Sequence, residues 1–344
     1  MIKYIGSKRR VVPGLIEWIE QLPGVRRVGD LFSGSARVAY ALKAAGYAVE
    51  ANDHNAYAAT LARGLVVADR ERWQVRAERL IAELERLPGR AGWFTEQYCE
   101  RARYFQVHNG ARIEAVRERI AELELEPELE SIALSALLLA ADKVDSTAGV
   151  QMAYLKGWSK RSHRALRLEV PPLLPRAEGG VAVGYELDAL EAARRMEVDL
   201  LYLDPPYNQH PYLSNYHLWE TLVRWDCPEV YGVARKRVDC RERKSRFNFR
   251  AQAPGALAEL LEVCNARYLL LSYSNEAFLR RPALRALLAQ HGYVQHVELE
   301  LRRYIGASIG VHSPDGRRTG RVSHTTTTES LWLVSSEPSP GHRL

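Results

Sequence analysis

The sequence of 344 residues has no apolar run long enough to cross a bilayer. Its longest nearly uninterrupted apolar stretch, Ile132 to Ala141, falls far short of the ~20 residues a spanning helix needs. Cysteine is scarce: Cys99, Cys227, Cys240 and Cys264 are scattered, with no C-x-x-C pair. That spacing supports neither a zinc ribbon nor a thioredoxin-like redox site. The ten histidines include no H-E-x-x-H, so no metal centre is expected. The first ten residues are basic but lack an apolar core and a small-residue cleavage site, so no signal peptide is expected. No internal repeat is visible. What is present, 47% hydrophobic and 26% charged residues, is the balance of a globular chain rather than a disordered or fibrous one. A cytosolic protein is the expectation, with about two domains or one enlarged α/β domain carrying an insertion.

Lysine is also rare. Only eight of the 48 basic residues are Lys, and the chain carries a formal net charge of +6. That charge is concentrated. Lys143 to Arg176 has seven basic residues against two acids, and Arg235 to Arg250 has eight against two. These segments total +11, so the rest of the chain is mildly acidic. Clustered positive charge on such a body is the footprint of a polyanion binder, with two solvated basic loops as the plain alternative.

The apolar pattern alternates between helix and strand periods. Val12, Leu15, Ile16, Ile19 and Leu22 form a helical stripe. A strand at 25–32 follows, then Ser33-Gly34-Ser35-Ala36, a helix over 36–45 stopped by Gly46, and a strand at 47–53 ending on Asp53. This βαβ unit implies a parallel sheet. Residues 70–130 read as charged amphipathic helices, and 131–144 as a buried helix. Strands are expected again at 180–185, 198–203, 268–273, 297–304 and 330–334, with a long Gly/Thr/Arg segment at 306–328. The expected organisation is an α/β core of residues 1–69 and 176–335, a helical insertion at 70–175, and a frayed tail at 336–344.

The most informative stretch is Asp199 to Tyr207, an apolar strand that ends in Asp204-Pro205-Pro206-Tyr207. Ligands of open α/β sheets bind beyond the carboxyl ends of strands. The two prolines stiffen the turn and have no N–H of their own. The Asp204 carboxylate and the Pro205 carbonyl thus offer two acceptors, and Tyr207 offers a stacking face. That set suits a planar base bearing an amino group. In the first half, Gly34 permits a tight turn beside a ligand, and Asp53 lies 23 residues after Asp30, the spacing of an acid that binds ribose hydroxyls. No G-x-G-x-x-G is present. Asp188 follows a strand and is either an adenine partner or a helix N-cap.

Phe32-Ser33-Gly34-Ser35-Ala36, Asp53 and Asp204 to Tyr207 together resemble the motifs of the class-alpha, Dam-like adenine-specific DNA methyltransferases. Lys3-Tyr4-Ile5-Gly6-Ser7-Lys8 resembles the opening motif of that family. Tyr212 to Glu220 and Leu269 to Asn275 resemble its later segments. The resemblance covers nearly the whole chain, weakly at 70–130. Ala36 replaces the second glycine of the family's Phe-x-Gly-x-Gly, and Ser7 stands where it usually has glycine.

The resemblance implies a Rossmann-like sheet that binds S-adenosylmethionine, with Tyr4, Lys8, Asp30, Phe32, Gly34, Asp53 and Asp188 around the cofactor. It places Tyr4 and Lys8 at the methionine end, Lys8 as the partner of its carboxylate. Asp204, Pro205, Pro206 and Tyr207 would act on an adenine flipped out of double-stranded DNA, the amino nitrogen attacking the methyl group in line. DNA contacts are expected from Lys143, Gln151, Tyr154 and Lys156 in a base-reading loop, and from Arg241, Arg243 and Lys244 on the phosphate backbone. The expected setting is the cytoplasm of a bacterium or archaeon, nucleoid-associated, as a monomer or weak dimer, with a cognate restriction endonuclease left open. The alternatives are an RNA amino-group methyltransferase of the same fold and a catalytically silent DNA-binding relative.

Overall fold

The structure, a computed structural model, describes residues 1–207, 209–302, 311–312, 318–320 and 326–338. The segment 306–328 and the tail 336–344 fall largely outside the described residues. The chain runs α1 (Val12–Glu20), β1 (Arg27–Asp30), α2 (Arg37–Ala44), β2 (Ala48–Asn52), α3 (Ala56–Ala62), α4 (Arg70–Glu85), α5 (Val107–Glu122) and α6 (Pro127–Val144). It continues through β3 (Val183–Tyr185), α7 (Ala189–Arg195), β4 (Leu200–Leu203), α8 (Tyr212–Asn215), α9 (His217–Arg224) and α10 (Ala253–Val263). The described part closes with β5 (Tyr268–Ser274), α11 (Arg281–Leu288), β6 (Tyr293–Arg302) and β7 (Thr326–Ser335). Shorter helical turns and two small ribbons fill the connections.

The seven strands form one sheet in the order β3-β2-β1-β4-β5-β7-β6. Strands β3 to β5 run parallel, with Val28 beside Val49 and Leu200, and Leu201 beside Leu269. Only β7 runs antiparallel to its neighbours β5 and β6. The strand order reverses between β1 and β4, and such a switch point opens a crevice at the carboxyl ends of the strands. Both faces are covered, which is why β2, β4 and β5 are buried at every position. One face packs α1 to α6 and α9 in a single buried cluster that runs from Leu15 through Trp73, Ile113 and Leu137 to Leu333. The other packs α7, α10 and α11 around Leu201, Leu203, Leu257 and Trp332. The helices of 70–144 thus bury their apolar stripes in the same core as the sheet.

The Asn109-Gly110 pair lies inside a helix, because α5 begins at Val107. Asn109 is buried, its amide donating to the carbonyls of Ser162 and Arg164 and accepting from Leu166 N at 2.9 Å. A polar Asn-Gly pair reads as a turn in isolation, but here the amide serves as an internal tie.

Candidate active site and cofactor cleft

The carboxyl ends of β1, β2 and β4 open into a solvent-connected cavity. Its walls include Tyr4, Lys8, Asp30, Phe32, Gly34, Asp53, Asp204 and Pro206. Eight of the residues expected at the cofactor and catalytic sites therefore meet at one place. Gly34 has φ +53°, and a Cβ there would lie 2.9 Å from the Tyr4 ring. Only glycine lets the turn sit against that ring without strain. Tyr4 itself stacks on Tyr216 (4.6 Å, 9°) and on Tyr212 (5.2 Å, 6°). Its hydroxyl lies 3.1 Å from that of Tyr57, and Ile5 N donates to the Tyr216 hydroxyl at 2.6 Å. The N-terminal motif is thereby pinned across the cleft.

Asp53 shapes the turn. One carboxylate oxygen accepts from Gly34 N at 3.0 Å, and the other from the backbone and side chain of Asn55. A carboxylate has about four acceptor sites, so one remains for a ligand hydroxyl. Asp30 accepts from Ala39 N at 3.0 Å, while its Oδ1 is buried without a partner. Burial first, then the nearby Asp204 charge, pushes its pKa up to about 7. Arg37 Nε and Asn55 Oδ1 are likewise buried without partners, and both residues line the cavity. Unpaired buried polar atoms around one cavity call for a ligand that pairs them. A nucleoside with an amino-acid end fits this set: an acceptor for ribose hydroxyls at Asp53, a cation at Arg37, and a tyrosine-walled, half-apolar cleft.

Asp188 takes its capping alternative, accepting from Leu190 N at 2.9 Å at the start of α7. Its neighbours Leu187 and Ala189, rather than Asp188, line the cleft. Lys8, also on the cleft wall, pairs within the protein. Its Nζ lies 3.0 Å from Asp204 Oδ1 and 2.8 Å from Glu329 Oε1. Burial opposes its charge, but the two carboxylates hold its pKa well above the ordinary lysine value. Asp204 is raised to about 6: burial raises it, Lys8 holds it back, and Glu329 adds a further rise. Tyr207 stands beside it, edge-on to Tyr273 at 6.3 Å and with Lys8 Nζ 5.8 Å from its ring centre. Burial pushes the Tyr207 hydroxyl up to about 12, so it stays neutral.

The expected DNA contacts separate. Gln151 is buried: its side-chain oxygen accepts from Leu218 N at 2.9 Å, and its carbonyl accepts from the Tyr104 hydroxyl at 2.7 Å. It ties the 145–164 loop to α9 and presents nothing to a groove. Lys143 is exposed but pairs with Glu169 at 2.6 Å. Tyr154 stands edge-on to Tyr104, with Arg103 over its ring, and Lys156 is exposed. Arg243 turns inward, bonding Glu220 at 2.9 Å and the His54 carbonyl at 3.2 Å, and it lines the cofactor cleft. Arg241 and Lys244 instead line a second cleft with Met152, His210, Tyr231 and Lys236. Arg241 Cζ sits over the Tyr231 ring, 3.9 Å from its centre. Phe247 is buried against Phe32, whereas Phe249 stays on the surface.

The sequence reading passed over Arg37, Tyr57 and Glu329. The first stands at the start of the helix after the Gly34 turn, a position that could have marked it. The last lies on β7, and no local pattern connects it to Lys8, 321 positions away.

Comparison with known proteins places the chain. The family model described as D12 class N6 adenine-specific DNA methyltransferase matches residues 4–286. Type II methyltransferase M.NlaIII of Neisseria lactamica is 31% identical over 315 residues, covering 88% of this chain and 92% of that protein. Type II methyltransferase M.CviAII of Paramecium bursaria Chlorella virus 1 is 27% identical, with 88% and 92% covered. Type II methyltransferase M.FokI of Planomicrobium okeanokoites is 36% identical over 198 residues, covering 56% of this chain and 30% of that protein. The chain belongs to the D12 class N6 adenine-specific DNA methyltransferases, enzymes that transfer a methyl group from S-adenosylmethionine to adenine in DNA.

Proposed function

We propose that Asp204 is the acceptor that activates the adenine amino group, with the Pro205 carbonyl as its second acceptor and Tyr207 as the stacking face. The observation that carries this reading is the position of Asp204 at the carboxyl end of β4, on the wall of the cofactor cavity. The lone pair of an aromatic amino group is delocalised into its ring. Hydrogen bonds donated by that group to Asp204 and the Pro205 carbonyl localise the pair on nitrogen. Bound S-adenosylmethionine supplies a methyl group activated by a positive sulfonium. Asp204 orients the nitrogen and offsets the positive charge that grows there. Tyr4, Gly34, Asp53 and Arg37 hold the cofactor, Arg37 replacing Lys8 as the partner of its carboxylate.

The target base leaves the duplex to reach this cavity. The cleft of His210, Tyr231, Lys236, Arg241 and Lys244 receives the DNA backbone beside the catalytic loop. The block 70–175 supplies further DNA contacts through Tyr154 and Lys156. The relatives named type II methyltransferases support a site-specific enzyme paired with a restriction endonuclease.

Tritium transfer from S-adenosylmethionine to DNA and to RNA tests the reading. The parent protein should label DNA alone. Asp204→Ala should fold, keep its cofactor affinity and lose about 10²–10³-fold in methylation rate. Full activity in folded Asp204→Ala would remove the acceptor assignment. Modification-sensitive sequencing of DNA from expressing cells would then read out the recognition site.

A further inference from the structure

Glu329 is a buried carboxylate with no place in the chemistry described so far. It lies on β7 with 4% of its surface exposed. Its Oε1 accepts from the Ser272 hydroxyl at 2.6 Å and lies 2.8 Å from Lys8 Nζ. The same ammonium is 3.0 Å from Asp204 Oδ1. One buried lysine is therefore shared by two carboxylates, and the trio carries one net negative charge. That excess faces the cleft into which a positively charged sulfonium must come.

We propose that Glu329 is a positioning residue for methyl transfer: by holding Lys8 between two carboxylates it prevents Lys8 from fully neutralising Asp204, which stays a strong acceptor for the adenine amino group. The inference rests on the acceptor reading of Asp204. An Asp204 paired to Lys8 alone would be a weaker base and a weaker hydrogen-bond acceptor. Sharing the ammonium with Glu329 leaves part of the Asp204 charge for the substrate. Ser272 sets the balance from the far side, since its donated hydrogen bond lowers the pull of Glu329 on Lys8. The other groups around Asp204 are the neutral phenols of Tyr202, Tyr207 and Tyr212, and Asp30 across the cleft. None of them carries positive charge, so Lys8 is the cation that Glu329 shares with Asp204, and the Glu329 charge raises Asp204 in the same direction.

The pH dependence of kcat/KM for DNA tests this. Asp204 works ionised, so activity should fall as pH drops through its pKa, near 6 in this structure. In Glu329→Gln, Lys8 serves Asp204 alone, and the acid limb should move down by about one pH unit. The plateau rate should fall about tenfold as the acceptor weakens, with S-adenosylmethionine affinity unchanged. Ser272→Ala should move the limb the opposite way, upward by a few tenths of a unit, because Glu329 then pulls harder on Lys8. A purely structural Glu329 would change melting temperature and leave both limbs in place, and that outcome overturns the proposal. If Glu329→Gln does not fold, an unmoved limb in Ser272→Ala overturns it. Activity retained in Asp204→Ala would instead sink the acceptor reading beneath it.

Discussion

The cofactor cleft and the basic cleft share Pro211 as a wall and use charge in opposite ways. In the first, Lys8 and Glu329 are buried, Asp204 is half-buried, and the three pair within 3.0 Å. Desolvation there displaces the ionisation of Asp30 and Asp204 toward neutral pH. In the second, Arg241 and Lys244 are exposed and open to any polyanion that arrives. Buried charge is insensitive to salt and sensitive to its immediate partners. Exposed charge is screened within about 10 Å at moderate ionic strength and acts through its sum. The same contrast separates the two basic segments. Between 143 and 176, Lys143, Arg161, Arg167 and Arg176 all pair with acids of the protein. Between 235 and 250, Arg237 and Arg243 are committed inward, while Lys236, Arg241 and Lys244 gather at one cleft. Similar charge counts in sequence therefore give unequal electrostatic surfaces.

The contrast is sharpest in a salt titration. Changing Lys236, Arg241 and Lys244 together to Ala should weaken DNA binding on the order of 10²-fold at low salt. The slope of log affinity against log salt should become shallower by up to about three units, since each neutralised phosphate contributes nearly one. The acid limb of activity should not move, because none of these side chains pairs with Lys8, Asp204 or Glu329. An unchanged slope would mean that this cleft is a solvated surface and that the backbone lies elsewhere.

A second change probes the buried side. Gly34→Ala forces an L-residue into φ +53° and drives a Cβ to 2.9 Å from the Tyr4 ring. The backbone strain is roughly 1–2 kcal/mol, and Tyr4 must leave its stack to relieve the contact. S-adenosylmethionine affinity should fall about tenfold, the equivalent of ~1.4 kcal/mol. DNA binding measured without cofactor should keep its salt slope. A calorimetric titration showing parental cofactor affinity would mean that the Gly34 turn does not touch the cofactor.

How far each cleft could be read from sequence follows the same division. Strand–turn–helix punctuation is local, so Gly34, Asp53 and the Asp204 loop were legible, and the parallel strands fall where the apolar runs are. The antiparallel strand was foreseen at 330–334, whereas β7 spans Thr326–Ser335. Glu329 lies just outside the foreseen range, and its meaning depends on β7 pairing beside β5, a contact that no local pattern encodes. Lys8 lines the cleft, as the opening motif implies, and its pairing with Glu329 across 321 positions is beyond any local pattern. Polar and basic residues surround Gln151 in the sequence, the setting of a base-contacting amide. Whether such an amide faces solvent or the interior is decided by packing against α9, and here the interior wins.

The smallest expected effect concerns the residue that departs from the family pattern. Ala36 occupies the left-handed region at φ 58°, ψ 19°, where a glycine would be unstrained. That conformation is unfavourable for an L-residue by roughly 1–2 kcal/mol. Its methyl group, however, is fully buried, which returns ~0.8 kcal/mol. A glycine would also lose roughly 0.5–1 kcal/mol more through chain entropy on folding. The terms nearly cancel, so Ala36→Gly should change unfolding free energy by less than about 1 kcal/mol. Ala36→Gly adds no atom to the turn, and Ala36 is not among the walls of the cleft, so cofactor affinity should stay at the parental value. Chemical denaturation and a cofactor titration on Gly34→Ala and Ala36→Gly side by side would separate two properties of one turn. Loss of affinity in the first alone assigns it to the seat on Tyr4, whereas equal loss in both assigns it to the shape of the turn.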